Sequence, residues 1–318
     1  MTRLLLRAEI KRYRQTLSKG QRAATYRSRF RLKYPHKAEL QIRQNISAYF
    51  AVTTKKVIRF IKAHYPRTIE RGDGFETEFG MFMQQLEREL NIEMVGGSVD
   101  MSPFVDKILE FMLRFKEEEI AEYMKTLTGR PFYGTTEWWD TTKRSWFDIL
   151  NRSMTKNITD YVESVRNVVY NAVRENKTIE ELIAEIMRID AALDEKKAAF
   201  LARDMVGKLN GEIERQLQMS VGIDGYFWQT MADERVRGKP GGVYESAIPS
   251  HWAMESKVCK WSDVSVVSLD YGRTWTPRSA NMPFKHPGED WLCRCSGAPF
   301  SLSLLREIDK ELAMERES

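Results

Sequence analysis

The sequence predicts a mainly α protein that ends in a small α+β cap. Apolar residues recur at helical spacing through the N-terminal and middle regions, which predicts long helices there. After Gly225 the texture changes to short β-prone runs separated by Gly, Pro, Asp and Asn, which places a small irregular β-containing domain at about 226–300. All three cysteines and two of the four histidines fall inside that cap, between His251 and Cys295.

The elements follow in order. Residues 1–34 are basic with interleaved Tyr13, Tyr26, Phe30 and Tyr34 and show little apolar periodicity, and Pro35 interrupts them. Leu40, Ile46, Tyr49, Phe50, Val57, Ile58 and Ile61 predict a helix over 38–64, and Pro66 with Arg71-Gly72-Asp73-Gly74 ends it. A helix over 75–95 stops near Gly96-Gly97, and another runs from Pro103 to Leu127 before Gly129-Arg130-Pro131. A Trp/Tyr/Gly-rich loop at 131–140 precedes a long helix over 141–176. Thr178-Ile179-Glu180-Glu181 has the form of a capping box and starts a short helix to Arg188. Asp194 caps a further helix to Val221, with Gly222 as its stop. Strand-like runs follow at 226–231, 258–261, 264–269 and 292–295. Residues 301–318 read as a charged helix or tail. The organisation is therefore a basic arm and helix at 1–67, a helical region at 68–139, a region at 140–300 whose last part is the cap, and the tail.

The chain has 318 residues, of which 30% are charged, and a mean hydropathy of −0.49. No run of 18 apolar residues exists, which excludes a membrane-spanning helix and predicts no membrane partner. Three cysteines without extracellular framework spacing predict folding in a reducing cytoplasm. The net charge of +5 conceals a segregation: residues 1–67 carry 18 Lys and Arg against Glu9 and Glu39 alone. The remainder is acidic by eleven charges. Such segregation predicts a polyanionic partner for the basic end, and double-stranded DNA fits it, with a solvated arm or an acidic protein as the alternatives. The candidate DNA-binding residues are Arg3, Arg7, Lys11, Arg12, Arg14, Lys19, Arg22, Arg27, Arg29, Arg31 and Lys33. The last four alternate with Ser28, Phe30 and Leu32, so an extended arm sets them on one side.

The cap holds the pieces with chemical character. Trp228-Gln229-Thr230 leads into Asp233-Glu234-Arg235-Val236-Arg237. His251-Trp252-Ala253-Met254-Glu255-Ser256-Lys257-Val258 comes next, and Pro287-Gly288-Glu289-Asp290-Trp291-Leu292-Cys293-Arg294-Cys295 closes the series. In this order they resemble the Mu F-like family of tailed-phage minor head, or head morphogenesis, proteins. That family runs W-x-T, D-x-R-x-R, H-x-A-M/L-D-G-K-V and P-G-x-D/N-x-x-C-R-C. Trp228, Asp233, Arg235, His251, Lys257, Asp290, Cys293, Arg294 and Cys295 are the structural motif positions that this resemblance marks. Glu255-Ser256 stands where the family has Asp-Gly, and the segment from Arg237 to His251 is longer than usual. With weaker helical likeness back to residue 140, the resemblance covers about half of the chain.

The resemblance implies a non-enzymatic structural protein of a tailed phage or prophage. It implies association with the portal protein and with capsid or scaffold proteins during head assembly, and contact with packaged DNA. It implies a place in the virion, inside the head near the portal, after assembly in the host cytoplasm.

Two chemical alternatives stand beside that reading. His251, His286, Cys293 and Cys295 are of types that bind zinc. Structural zinc sites usually use C-x2–4-C, which C-x-C is not, so packing of two small buried residues is preferred and no cofactor is expected. His251 and Glu255 could pair a base with an acid, with nearby arginines holding a phosphate, as in a nuclease or nucleotide-modifying enzyme. No P-loop or G-x-S-x-G pattern accompanies them, so no catalytic residue is expected.

Overall fold

A computed structural model of the chain describes residues 3–17, 30–64, 77, 79–86, 88, 102–175 and 177–302. The helices are α1 (Arg3–Gln15), α2 (His36–His64), α3 (Ser102–Thr128), α4 (Trp139–Arg174) and α5 (Ile179–Ser220), with a further helical segment at 79–86. The strands are β1 (Gly225–Gln229), β2 (Val258–Lys260), β3 (Asp263–Ser268), β4 (Thr276–Pro277) and β5 (Ser296–Phe300). They form one antiparallel sheet in the order β4-β3-β2-β1-β5. The mainly α chain with a C-terminal α+β cap is therefore as expected. The Gly96-Gly97 stop, the boundary at 66–74 and the tail beyond residue 302 lie outside the described residues.

The chain forms two compact units. One comprises residues 37–108 and 143–202. Its core takes Ile42, Ile46, Phe50, Val57 and Ile61 from α2 and Tyr161, Val165, Val169 and Ala172 from α4, at the three- and four-residue spacing of buried helix faces. Thr54 Oγ1 and Tyr161 Oη hydrogen-bond at 2.8 Å within that core. Leu40, expected on the inner face of α2, is exposed, and Ala38 takes the inner position instead. The Thr178–Glu181 capping box forms: Glu181 N–H donates to Thr178 Oγ1 at 3.2 Å, and Thr178 N–H to Glu181 Oε2 at 2.8 Å. The two helices expected after it are one, since α5 runs unbroken past Asp194. Between Arg188 and Asp194 stand Ala191, Ala192 and Leu193 and no Gly or Pro, so strong helix formers override the capping signal.

The other unit comprises residues 1–36, 109–142 and 203–318. Helix α1 was not expected. Among its described side chains the buried ones are Leu6, Ile10 and Arg14, which leaves little periodicity to read. Lys116 on α3 is fully buried and gives its three protons to Glu119 Oε2 (2.8 Å), Glu214 Oε1 (2.9 Å) and the Lys33 carbonyl (2.6 Å). Glu214 belongs to a row on α5 with Asn210 and Gln218, and this row holds the outer edge of β5. Gly297 N–H donates to Glu214 Oε2 at 3.1 Å, and Gln218 Nε2 donates to the Gly297 carbonyl at 2.6 Å. Side chains thus satisfy an edge that would otherwise present open backbone groups. Trp261 Nε1 donates to Gln218 Oε1 at 3.0 Å, which ties the turn after β2 to the same row.

Gly207 and Gly211 of α5 face the Pro287-Gly288 and Cys293 backbone. A Cβ on either would run into the Cys293 or Pro287 carbonyl. One on Gly288, whose φ is 85°, would meet the Gly207 carbonyl at 2.6 Å. The loop that carries the cysteines is therefore pressed onto bare helix backbone.

Candidate functional site

The expected strand at 292–295 is absent: Cys293 and Cys295 lie in an irregular stretch just after the turn at Trp291–Leu292, and β5 begins at Ser296. Leu292 takes a left-handed φ of 54°, and its N–H donates to Asp204 Oδ1 on α5 at 2.8 Å. This bend turns both cysteines toward His251. That histidine stands at the start of a 3-10 turn, Trp252–Met254, where Trp252 N–H bonds the Arg237 carbonyl at 3.0 Å.

His251 Nδ1 lies 3.4 Å from Cys293 Sγ and 3.5 Å from Cys295 Sγ. The three donor atoms all lie within 4.8 Å of one another, and all three residues are buried. On the other side of the ring, Nε2 lies 3.1 Å from Asp290 Oδ2. Asp290 is itself held by Arg237 Nη1 (2.6 Å), Lys285 Nζ (3.2 Å) and the Trp291 N–H (2.8 Å). Gly288 N–H and Cys295 N–H both point at Cys293 Sγ, each at 3.4 Å. Trp228 packs edge-on to His251, and its Nε1 has no oxygen or nitrogen partner and faces Cys295.

The charges follow this geometry. Burial pulls His251 down, but bonds to Cys293 and Asp290 outweigh it and hold the imidazole above its ordinary range. Asp290 is held at about 2: burial works against its charge, and the Trp291 N–H, His251 and Arg237 overcome it. Of the two thiols, Cys293 ionises first, because the Cys295 hydrogen bond, His251 and the Gly288 N–H favour its thiolate against burial. Cys295 is held well above its usual value, first by that same bond and then by burial.

The residues marked by the motif largely come together. Arg294 Nη2 pairs with Asp233 Oδ2 at 2.6 Å, and Arg237 Nη1 with Asp290 Oδ2 at 2.6 Å. Arg235 is exposed and contributes its backbone N–H to Asp233 Oδ1 at 3.0 Å. Lys257 is half-buried and uses its carbonyl to accept the Trp228 N–H at 2.8 Å. His286 stands apart from the cysteines: its Nδ1 pairs with Tyr226 Oη at 3.0 Å. Glu255 does not pair with His251. Its Oε2 accepts the Thr230 N–H at 2.7 Å, and Asp290 is the carboxylate that His251 meets. Asp204, Lys285 and Arg278 escaped sequence reasoning. Arg278 is buried and gives Nη1 to the Pro283 and Lys285 carbonyls at 2.5 and 2.9 Å, and a loop arginine bound to carbonyls leaves no spacing signal.

In the basic arm, Arg31 and Lys33 are exposed while Leu32 and Tyr34 are buried, the alternation of an extended segment. Lys11 and Arg12 are exposed on α1, and Arg12 pairs with Glu9 at 2.8 Å. Arg14 is buried, so it does not join an accessible cationic face, and its stem lines the inner stripe of α1 instead. Lys19, Arg22, Arg27 and Arg29 lie outside the described residues, as do the side chains of Arg3 and Arg7. Among the described residues no helix is long and apolar enough to cross a membrane.

A long helix delivering a small sheet whose loops are cross-linked around a His-Cys-Cys cluster defines a loop-rich structural cap. Residues 163–298 are similar to the family described as Phage Mu protein F like protein. The family suggests a phage head morphogenesis protein with a place in the virion. An uncharacterized protein of Haemophilus influenzae is 29% identical over 154 residues, which cover 47% of this chain and 27% of that protein. The match thus spans about a quarter of the relative's length. No solved structure matches the chain.

Proposed function

We propose that the chain is a minor head protein that associates with the portal during head assembly and meets packaged DNA inside the head through its basic end. The carrying observation is the Mu F-like match over 163–298 on a chain whose first 67 residues hold 18 bases against two acids. The cap's chemistry supports a structural role. Its polar side chains are spent on each other: Asp290 on His251, Arg237 and Lys285, Asp233 on Arg294, and Glu255 on the Thr230 N–H. Cys293 and His251 are 5% and 3% exposed, which closes them to a macromolecular substrate. The rival reading, an enzyme acting through His251 and Glu255, loses its acid to the Thr230 backbone.

The acidic remainder of the chain is the part suited to protein docking, with capsid or scaffold proteins as further partners. Co-expression of the full chain with the cognate portal protein and affinity capture tests this. Co-purification at moderate salt is expected, and its absence at both low and moderate salt contradicts the portal assignment.

A further inference from the structure

We propose that His251 Nδ1, Cys293 Sγ and Cys295 Sγ bind a divalent cation of the zinc class, with a water in the fourth position. The expectation of plain packing rested on the C-x-C spacing, and the turn at Leu292 removes that objection by bringing both sulfurs to one nitrogen.

Four observations fit a cation. The first is distance. A tetrahedral ion with Zn–S near 2.3 Å and Zn–N near 2.0–2.1 Å sets sulfur and nitrogen about 3.5 Å apart along each edge. The two N···S separations here are 3.4 and 3.5 Å. The second is the tautomer. Ionised Asp290 at Nε2 calls for a proton there, which leaves the Nδ1 lone pair facing the sulfurs. A carboxylate behind a ligating imidazole is the usual support of a zinc histidine, and Arg237 and Lys285 in turn hold this one. The third is the donors aimed at sulfur. Two peptide N–H groups converge on Cys293 Sγ, and the buried Trp228 Nε1 faces Cys295, so each sulfur meets N–H donors from behind, as metal-bound sulfurs do.

The fourth is what packing alone leaves undone. A single Nδ1 lone pair can accept one S–H, so without an ion the second thiol turns to its neighbouring sulfur and the imidazole is bonded to one of the two alone. An ion satisfies all three donors at once. It also joins His251 to a turn 42 residues further along the chain, in a region where long loops separate short strands. Among the described residues no fourth Cys, His or carboxylate completes the group, so the last position falls to water. The role inferred is structural: the ion would knit loops that have little core of their own.

The test uses the full chain, purified without chelator or added metal. Elemental analysis is expected to give about one zinc per chain. Replacement by Co2+ is expected to give the sulfur-to-cobalt charge-transfer absorption and the strong visible bands of a tetrahedral thiolate site. Cys259→Ser, at the third buried cysteine outside the group, is expected to keep full zinc, whereas Cys293→Ser and Cys295→Ser lose it. Should those two fail to fold, Asp290→Asn keeps every ligand atom and is expected to weaken zinc binding ten- to a hundredfold in chelator competition. A soluble, folded chain with far less than stoichiometric zinc and no cobalt bands overturns the proposal. A Cys293–Cys295 disulfide in the intact mass overturns it, as does an Asp290→Asn chain that competes with chelator as well as the wild type.

Discussion

Asp290 Oδ2 meets His251 Nε2 at 3.1 Å and thereby decides what the rest of the ring does. With one ring nitrogen committed to a carboxylate, the other is left facing two cysteines, and the cap's loops close around that pair of choices. The same carboxyl binds Arg237 and Lys285, so one side chain ties together three separate loop segments. Stability in this cap is expected to reside in such cross-links and in a few close backbone approaches, and the following outcomes check that.

Gly211→Ala is expected to destabilise the chain by about 1–3 kcal/mol, because the added methyl overpacks against the Pro287 carbonyl. On an open helix face the same change would stabilise by up to about 1 kcal/mol, so the sign discriminates. Chemical unfolding of both proteins reads it.

Ser256→Gly is expected to stabilise by roughly 0.5–1 kcal/mol. Ser256 holds a φ of 63°, which costs a side-chain-bearing residue and not glycine. This is the position where the chain departs from the Asp-Gly of the motif it resembles. A rise in Tm is the readout.

Lys116→Met is expected to cost about 3–5 kcal/mol, since it leaves the fully buried Glu214 without its cation. Glu119 and the Lys33 carbonyl lose the same donor. Urea unfolding measured at neutral pH gives the value.

Stability is expected to fall as pH drops from 6.5 toward 4, through His286. Burial, with Arg215 and Arg278 adding to it and Glu289 opposing, brings this imidazole from 6.5 to about 4, and Tyr226 Oη faces its Nδ1. Its folded-state pKa is depressed, so between those values the folded chain binds fewer protons than the unfolded one. The stabilisation is complete above 6.5 and lost below it, with a slope of at most about 1.4 kcal/mol per pH unit. His251, raised instead, contributes a constant amount below 6.5 and does not cancel the trend. His286→Gln is expected to flatten the pH dependence of unfolding, and an unchanged profile contradicts the assignment.

Arg31→Ala with Lys33→Ala is expected to reduce the slope of log K against log salt for duplex DNA by up to about 1.8, alike for all sequences. Both side chains are exposed on one side of an extended segment that Gln229 clamps by bonding the Leu32 N–H and carbonyl at 3.1 and 3.0 Å. Filter binding at several salt concentrations measures it.

Much of this was legible before any fold was drawn. The inner faces of α2 and α4 repeat at helical spacing along most of each helix, so their presence and ends read directly. The Thr178–Glu181 box is a local signal and forms as written. Helix α1 was not legible because its described buried positions, Leu6, Ile10 and Arg14, include a residue whose charge masks its packing role. The motif residues of the cap were identifiable, but their geometry was not. It depends on a left-handed Leu292 and on Asp204, which is 88 positions away and carries no motif. Gly207 and Gly211, four apart in a helix, were the available sign that a loop presses there, since glycine inside a helix is costly without a close approach to justify it.

Mass spectrometry of purified phage particles from the bacterium that carries the gene tests the central claim most directly. The account predicts that the chain is found in DNA-filled heads, at low copy beside the portal protein. Particles that contain the portal but lack this chain, made in cells that express it, would contradict a head protein.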